Sequence, residues 1–270
     1  MEEGGRRGER PPLAEQVVHA ESQLLLKGGP WELEVVPKRG GRITSLRLDG
    51  EELLEQGIGV DNPSAVGFVE AGAAGWDEMV PNVEPTDSLP DHGEAWRVPW
   101  VVGVKTPDSA YMRCTGRIVP FELERRIKLD AQAVRVSYVY KNRGTERQYA
   151  YWSAHPLFKF ESGMEIGVPG GEGLARLAEG TSTKVFLAPG SVDRVRLGWR
   201  SGAAVEVAWD ARVTPYLSVW VCNGDLGGYR QIGIESATGG NDRPDPAAPP
   251  PVLEPGGRLE WWMEVRDGRF

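Results

Sequence analysis

The sequence predicts an all-β protein built as a sandwich or barrel, and three observations support this prediction. Apolar and polar residues alternate with a period of two over most of the chain, which is typical of half-buried strands. Helical periodicity is nearly absent, and only residues 51–56 and 173–180 look helical. The 270 residues include 35 Gly and 21 Pro, enough turn-forming residues to separate many short strands.

The predicted strands follow one another along the chain after a polar beginning. Residues 1–14 are expected to form a disordered leader, and residues 15–270 a single domain, because no change in composition marks an internal boundary. Residues 31–36 alternate clearly, and a strand beginning at Arg42 ends at the hairpin signal Asp49-Gly50. The clearest antiparallel pair is 121–129 with 134–140. Further strands are predicted in the segments 151–160, 181–189, 203–210, 216–223, 231–236 and 258–267.

Charge and cysteine usage exclude several classes of function. The formal net charge is -8 and the basic residues are dispersed, which argues against a nucleic-acid partner. No apolar run is long enough to cross a membrane. Cys114 and Cys222 fit no metal-binding spacing, and no secretory signal is visible, so we expect two reduced thiols in a cytoplasmic protein. The sequence does not indicate an oligomeric state.

The aromatic content favours a neutral partner such as a sugar. The chain has ten tryptophans, more than its six phenylalanines or its seven tyrosines. Most of these indoles are expected in the core, but a sugar pocket also uses them, because the apolar face of a pyranose stacks on an indole while its hydroxyls need polar groups. The candidate substrate-binding residues are Trp76, Asp77, Glu78, Trp96, Trp152 and Trp220.

Two of the three histidines are candidates for chemistry. His92 lies in "LPDHGEAW" and precedes Gly93, while His155 lies in "YWSAHPLF" and precedes Pro156. A single histidine at such a turn is more often structural than catalytic. Both nevertheless neighbour tryptophans in sequence, and a titratable group among aromatic residues indicates a pocket.

One carboxylate also differs from the many that must lie on the surface. Glu235 ends the strand "RQIGIE" and is followed by small, turn-forming residues, so it is either a strand-edge surface charge or an acid facing a cleft. The run 239–251 after it is expected to be a mobile or polyproline-like loop that covers this strand end. The acidic segment 76–84 would need several converging ligands to hold a metal, and with one histidine nearby we favour hydroxyl recognition.

Five segments together resemble the aldose 1-epimerase (galactose mutarotase-like) family. They occur in the family's order over residues 28–266 as "RGGRITSLRLDGEELL", "DHGEAWRVPW", "YWSAHPLFKF", "IGIESATGGNDRP" and "LEPGGRLEWWMEV". The resemblance implies a β-supersandwich of two large antiparallel sheets and an isomerase that exchanges the α and β anomers of a free sugar, with a role in carbohydrate metabolism. It implies Glu235 as general base, His155 as general acid and His92 as the histidine that polarises the ring oxygen or a neighbouring hydroxyl. Neither metal nor other cofactor is implied.

The chemistry fits these residue types. Ring opening removes a proton from the anomeric hydroxyl and adds one to the ring oxygen, which suits an ionised carboxylate and a histidine whose pKa nearby acids raise. The sequence departs from the family where relatives carry a substrate-binding arginine, and Arg42, Arg97 and Arg126 are the substitutes considered. Two alternatives remain: a carbohydrate-binding protein of the same fold without turnover, and a lyase or hydrolase acting on carbohydrate.

Overall fold

Regular structure in the described part of the chain is almost entirely β-strand. The computed structural model describes residues 22–59, 62 and 64–269, so the predicted leader at 1–14 lies outside the described residues. One short helix, α1, spans Gly171–Leu174, and a 3-10 turn spans Leu226–Gly228. The strands are β1 Leu24–Gly28, β2 Trp31–Val36, β3 Arg42–Leu48, β4 Glu51–Glu52, β5 Gly75–Met79, β6 Val101–Thr106, β7 Ser109–Thr115, β8 Phe121–Leu129, β9 Ala133–Asn142, β10 Gln148–Tyr149, β11 Ser153–Lys159, β12 Glu165–Ile166, β13 Thr181–Phe186, β14 Arg194–Gly198, β15 Ala204–Trp209, β16 Tyr216–Asn223, β17 Arg230–Ala237, β18 Val252–Leu253 and β19 Arg258–Asp267.

The strands form two large antiparallel sheets, as the resemblance implied. The first sheet has the order β1-β2-β3-β5-β11-β17-β16-β13, with β4 added beside β3. The second sheet has the order β12-β14-β15-β19-β9-β8-β7-β6, and β10 pairs with β18 separately. The fold is therefore all-β, a β-supersandwich, and the predicted fold class is confirmed. Strands far apart in sequence, β5, β11 and β17, lie side by side in the middle of the first sheet.

The alternating residues of both sheets meet in a common core. Trp31, Leu33 and Val35, predicted to share one face, are each at most 2% exposed. At the centre the rings of Tyr138 and Trp261 stack with centroids 5.3 Å apart, and Trp152 lies 4.9 Å from each ring. Most tryptophans are buried in this way, so the surplus of indoles serves mainly the core.

One ion pair is buried between the sheets. Arg125 on β8 of the second sheet donates to Glu78 on β5 of the first at 3.0 Å, and both side chains are fully buried. Tyr138 Oη and Trp152 Nε1 also donate to this carboxylate, each at 2.8 Å. A buried carboxylate is tolerated when it is paired and hydrogen-bonded, and these donors supply both conditions.

The two helical predictions were wrong or misplaced. Residues 51–52 form β4, because Asp49 and Gly50 adopt φ values of 51° and 81° and turn the chain back beside β3. The segment 173–180 is helical only at its beginning, since α1 ends at Leu174.

No helix among the described residues is long and apolar enough to span a membrane. Both cysteines are free and buried.

Candidate functional site

The register of four neighbouring strands brings polar side chains into one row on the first sheet. His155 on β11 pairs with Asp77 on β5, and Ser218 on β16 pairs with Glu235 on β17. The β11–β17 pairs Ser153–Ala237 and Leu157–Gly233 flank His155 and Glu235, which therefore lie opposite each other. The residues beside them, such as Ala154 and Ile234, belong to the core between the sheets. Because side chains alternate along a strand, the row faces away from the second sheet.

Glu235 and His155 form the centre of this row. Glu235 Oε1 lies 3.6 Å from His155 Nε2, and the two side chains are 1% and 7% exposed. The other oxygen, Oε2, accepts a hydrogen bond from Ser218 Oγ at 3.0 Å and an ion pair from Lys184 Nζ at 2.6 Å. Oε2 is therefore fixed by two donors, while Oε1 remains the oxygen beside the imidazole.

His92 reaches the same place from a tight turn. His92 has φ 57° and Gly93 has φ 72°, a conformation that favours glycine. A Cβ at position 93 would lie 2.2 Å from the carbonyl oxygen of Val80, so only glycine fits there. Asp91 Oδ1 lies 2.7 Å from His92 Nδ1, and the ring of Phe68 stacks on the imidazole at 4.4 Å. The imidazole of His92 is thus held at Nδ1 by the Asp91 carboxylate and on one face by the Phe68 ring.

The three predicted catalytic residues converge in the structure. The rings of His92 and His155 lie 5.3 Å apart, edge to face, and Phe68 contacts both of them. Together with Glu235 they line a cavity of about 220 Å³. Lys184 Nζ also lies 2.5 Å from Asp242 Oδ2. The described residues lining this cavity are Phe68, Val69, Ala73, Val83, His92, His155, Lys184, Trp220, Leu226, Tyr229, Gln231, Glu235 and Asp242.

The loop predicted to cover the end of β17 contributes Asp242. Its carbonyl oxygen accepts hydrogen bonds from the backbone N–H groups of Val83 and Glu84 at 2.7 and 2.9 Å. The loop is thus tied to the opposite wall of the cavity. A second cavity, of about 160 Å³, shares Glu235 and Asp242 with the first, so the two adjoin at these carboxylates.

The electrostatics of the site differ from the expectation for His155. Burial lowers the pKa of His155 well below its ordinary value, and the positive charges of His92, Lys184 and Arg42 lower it further. The expectation that nearby acids raise this pKa was wrong, because desolvation and the surrounding cations dominate. Burial also raises the pKa of Asp242, although Lys184 opposes this.

Lys184 and Asp91 keep their charges in the site. Burial disfavours the ammonium of Lys184, but Glu235 and Asp242 outweigh burial and raise its pKa. Burial likewise would raise the pKa of Asp91, but the hydrogen bond and charge of His92 lower it overall. Lys184 is therefore a cation between two carboxylates, and Asp91 is an anion behind His92.

Of the predicted substrate-binding residues, Trp220 lines the cavity and the other five do not. Trp76 and Trp152 lie in the main core, Trp96 lies beneath Phe68, and Glu78 is the buried partner of Arg125. Asp77 is buried and accepts a hydrogen bond from Arg42 Nε at 2.8 Å. The acid-rich segment 76–84 therefore mainly stabilises the fold behind the site.

The three arginines considered as substitutes lie in different places. Arg42 is buried under the site, with its guanidinium 5.8 Å from the centre of the Phe68 ring. Arg97 stacks on Trp96, and Arg126 stacks on Tyr111 of the second sheet. Arg42 is the arginine among the three whose positive charge helps to lower the pKa of His155. No group of three or more His, Cys, Asp or Glu suited to a metal occurs in the described part of the chain.

Sequence reasoning missed Lys184, Asp242 and Phe68. Lys184 lies on β13 in the segment "TSTKVF", and its only signal was the predicted strand at 181–189. Phe68 lies in an irregular segment between β4 and β5, and Asp242 lies in a proline-rich loop. Asp242 lies in the segment "IGIESATGGNDRP" and in the loop predicted to cover the end of β17, but neither signal singled out this carboxylate. The segments of Lys184 and Phe68 have no motif that points to the site.

Comparison with known proteins gives similarity in structure only. No protein-family model and no curated protein matches the chain. The Slr1438 protein from Synechocystis superposes with a TM-score of 0.76 at 18% identity, covering 98% of this chain and 99% of that one. A candidate aldose 1-epimerase from Escherichia coli K12 gives 0.70 at 15%, covering 90% and 98%. A galactose mutarotase-like protein from Lactobacillus casei gives 0.69 at 14%, covering 90% and 99%. These superpositions identify the two-sheet architecture of this chain as the galactose mutarotase-like fold.

Proposed function

We propose that the protein is an aldose 1-epimerase-like isomerase that interconverts the α and β anomers of a neutral free sugar. The observation that carries this proposal is the contact between Glu235 Oε1 and His155 Nε2, 3.6 Å apart inside a cavity that His92 also lines. Several proteins with the same fold carry aldose 1-epimerase or galactose mutarotase names, which agrees with the proposal.

The short distance between acid and base suits a hemiacetal. The anomeric hydroxyl and the ring oxygen are bonded to the same carbon, so the groups that serve them must be adjacent. Glycoside hydrolysis instead places its two carboxyl groups about 5 Å or more apart. The adjacency of Glu235 and His155 therefore supports proton exchange at one carbon over attack on a glycosidic bond.

Each residue then has a defined role. Glu235 Oε1 takes the proton of the anomeric hydroxyl, and His155 gives a proton from Nε2 to the ring oxygen, so that the C1–O5 bond breaks and the open aldehyde forms. Rotation about the C1–C2 bond presents the other face of the aldehyde. Glu235 then gives its proton to the aldehyde oxygen while His155 takes the proton of the 5-hydroxyl, whose oxygen attacks C1, and the ring closes as the other anomer. His92, held by Asp91, donates a hydrogen bond to the substrate beside them.

Charge and burial support turnover of a neutral sugar over the alternatives. Two carboxylates, Glu235 and Asp242, line the cavity with one ammonium, Lys184, and Asp91 adds a third carboxylate behind His92, which disfavours an acidic polymer or a sugar phosphate. A simple binding protein would have no need to bury a carboxylate at 1% exposure beside an imidazole. This burial favours the isomerase over a binding protein of the same fold.

The test is anomer exchange measured by saturation-transfer NMR on a panel of aldoses, with the uncatalysed rate subtracted. Glu235→Gln is expected to lower the exchange rate by at least about 100-fold, because general-base catalysis contributes about that much. Sugar binding, measured by calorimetry, should change little, since the amide keeps the shape of the side chain. Glu165→Gln, which removes an exposed carboxylate paired with Arg196 on the second sheet, is the matched control and should behave as wild type.

Two results would contradict the proposal. Wild-type protein that binds sugars but exchanges the anomers of none would be a binding protein. Exchange by Glu235→Gln at the wild-type rate would remove this carboxylate from the reaction.

A further inference from the structure

Lys184 and Asp242 form a polar pair at one end of the cavity that the proposed proton transfer does not use. Lys184 Nζ lies 2.5 Å from Asp242 Oδ2 and 2.6 Å from Glu235 Oε2. Both side chains of the pair are nearly buried, at 19% and 18% exposure, and both line the cavity. Burying such a pair costs desolvation energy, and the fold already has one fully buried ion pair, Arg125 with Glu78, in its core. The pair of Lys184 and Asp242 instead lies beside the base in the cavity, and this location points to a role toward the substrate.

The position of the pair relative to Glu235 determines which part of a sugar it meets. The anomeric carbon bears three heavy-atom neighbours: the hydroxyl oxygen, the ring oxygen and C2. If the hydroxyl binds at Glu235 Oε1 and the ring oxygen at His155 Nε2, C2 must point to the remaining side. Lys184 lies on that side, because the strand order β11-β17-β16-β13 places β11 with His155 and β13 with Lys184 on opposite sides of Glu235.

We propose that Lys184 and Asp242 bind the C2 hydroxyl of the sugar and determine specificity for 2-hydroxy aldoses over 2-deoxy aldoses. This inference rests on the proposed function. An ammonium donates to the hydroxyl oxygen and a carboxylate accepts the hydroxyl proton, so the pair satisfies both hydrogen-bonding capacities of one hydroxyl. A 2-deoxy sugar has no hydroxyl to insert between Lys184 and Asp242, so it forgoes both charge-assisted hydrogen bonds and places an apolar C2 against the charged pair.

The loop that carries Asp242 is fixed to the rest of the fold by backbone hydrogen bonds. Asp242 is held by its carbonyl oxygen to the backbone N–H groups of Val83 and Glu84, so its carboxylate is free to exchange Lys184 for a hydroxyl without moving the chain. Lys184 keeps its second partner, Glu235, when the hydroxyl enters. The hydroxyl can thus insert between Lys184 and Asp242 while the base stays in place.

The experiment compares two substrate pairs: D-glucose with 2-deoxy-D-glucose, and D-galactose with 2-deoxy-D-galactose. The specificity constant kcat/KM for anomer exchange is measured for each sugar after subtraction of its uncatalysed rate. Wild-type protein is expected to prefer the 2-hydroxy member of its substrate pair by about 10- to 100-fold, the value of a hydrogen bond to charged groups. Asp242→Asn and Lys184→Met are expected to reduce that preference to less than about threefold.

The control and the variants separate this inference from the proposed function. Lys128→Met removes a lysine paired with Asp108 on the second sheet and should keep the full preference. Circular dichroism and thermal unfolding verify that each variant is folded. Asp242→Asn leaves the contact between Lys184 and Glu235 intact, so it tests substrate recognition without disturbing the base.

Each outcome has one meaning. No exchange of any sugar by the wild type refutes the proposed function and this inference with it. Exchange with an unchanged 2-hydroxy preference in both folded variants refutes only the inference. An equal loss of kcat/KM for both sugars of a pair shows that Lys184 positions Glu235 and does not recognise the C2 hydroxyl, which also overturns the inference.

Discussion

Replacing Gly233 by Ala tests whether Glu235 Oε1 is the atom that accepts the proton. Gly233 lies two residues before Glu235 on β17 and faces the same side of the sheet. A Cβ built there lies 3.0 Å from Glu235 Oε1 and 3.4 Å from Trp220 Cβ. The missing side chain thus provides the space that the carboxylate occupies.

The structure sets the size of the effect. Ordinary contact begins at 3.4 Å, so the carboxylate must move by about 0.4 Å from its 3.0 Å position. Lys184 and Ser218 hold Oε2, so the movement falls on Oε1. A misplacement of about 1 Å costs about 100-fold in rate, so we expect kcat to fall about tenfold with little change in KM. Stability should not fall, because Gly in a strand interior is about 0.5–1 kcal/mol less favourable than Ala.

The assay combines anomer exchange with chemical unfolding of the same samples. Gly173→Ala in α1 is the control, because an added Cβ there meets nothing within 4 Å, and it should keep wild-type activity. Full activity in Gly233→Ala would show that Oε1 is not the reacting atom. A loss of activity accompanied by an equal loss of stability would instead indicate general disruption of the sheet.

Two further predictions concern pH and the core. Burial and nearby cations lower the pKa of His155, so its acid form is scarce near pH 7. We therefore expect kcat to rise as the pH falls from 8 to 6, without levelling near the ordinary histidine pKa of about 6.5. A rate that falls on acidification would remove His155 as the acid. In the core, Arg125→Met should destabilise the protein by about 3–5 kcal/mol, because it leaves Glu78 buried without its cation. The double variant with Glu78→Leu should be more stable than Arg125→Met alone, and denaturant unfolding that showed simple additivity would contradict the coupling.

Much of the architecture could be predicted from the sequence because it depends on local pattern. The alternation in β2, β8 and β9 specifies which face of each strand is buried, and Asp49-Gly50 specifies a hairpin turn. The same regularity misled where the pattern was short. Residues 51–56 look helical, but the preceding turn returns the chain beside β3, and strand pairing decides their conformation.

The sequence also pointed to the three residues that converge, although their catalytic roles remain a prediction. His92 and His155 were conspicuous because histidine is rare in this chain, and Gly93 indicated the turn that orients the first of them. The tryptophans, by contrast, were misleading as signals for the binding site. An indole suits a core as well as a sugar, and only the three-dimensional packing determines which of the two it serves.

The sequence by itself determined the clearly alternating strands, such as β2, β8 and β9, with their buried faces, and it pointed to candidate residues for proton transfer, because these depend on neighbours within a few positions. It did not predict β1, β5, β6, β7 or β14. The tertiary structure alone decided that Lys184 and Asp242 flank Glu235 and that His155 has a lowered pKa. Those properties depend on distances between strands remote in sequence and on how completely water is excluded from the space between them, and neither quantity is a property of any single segment.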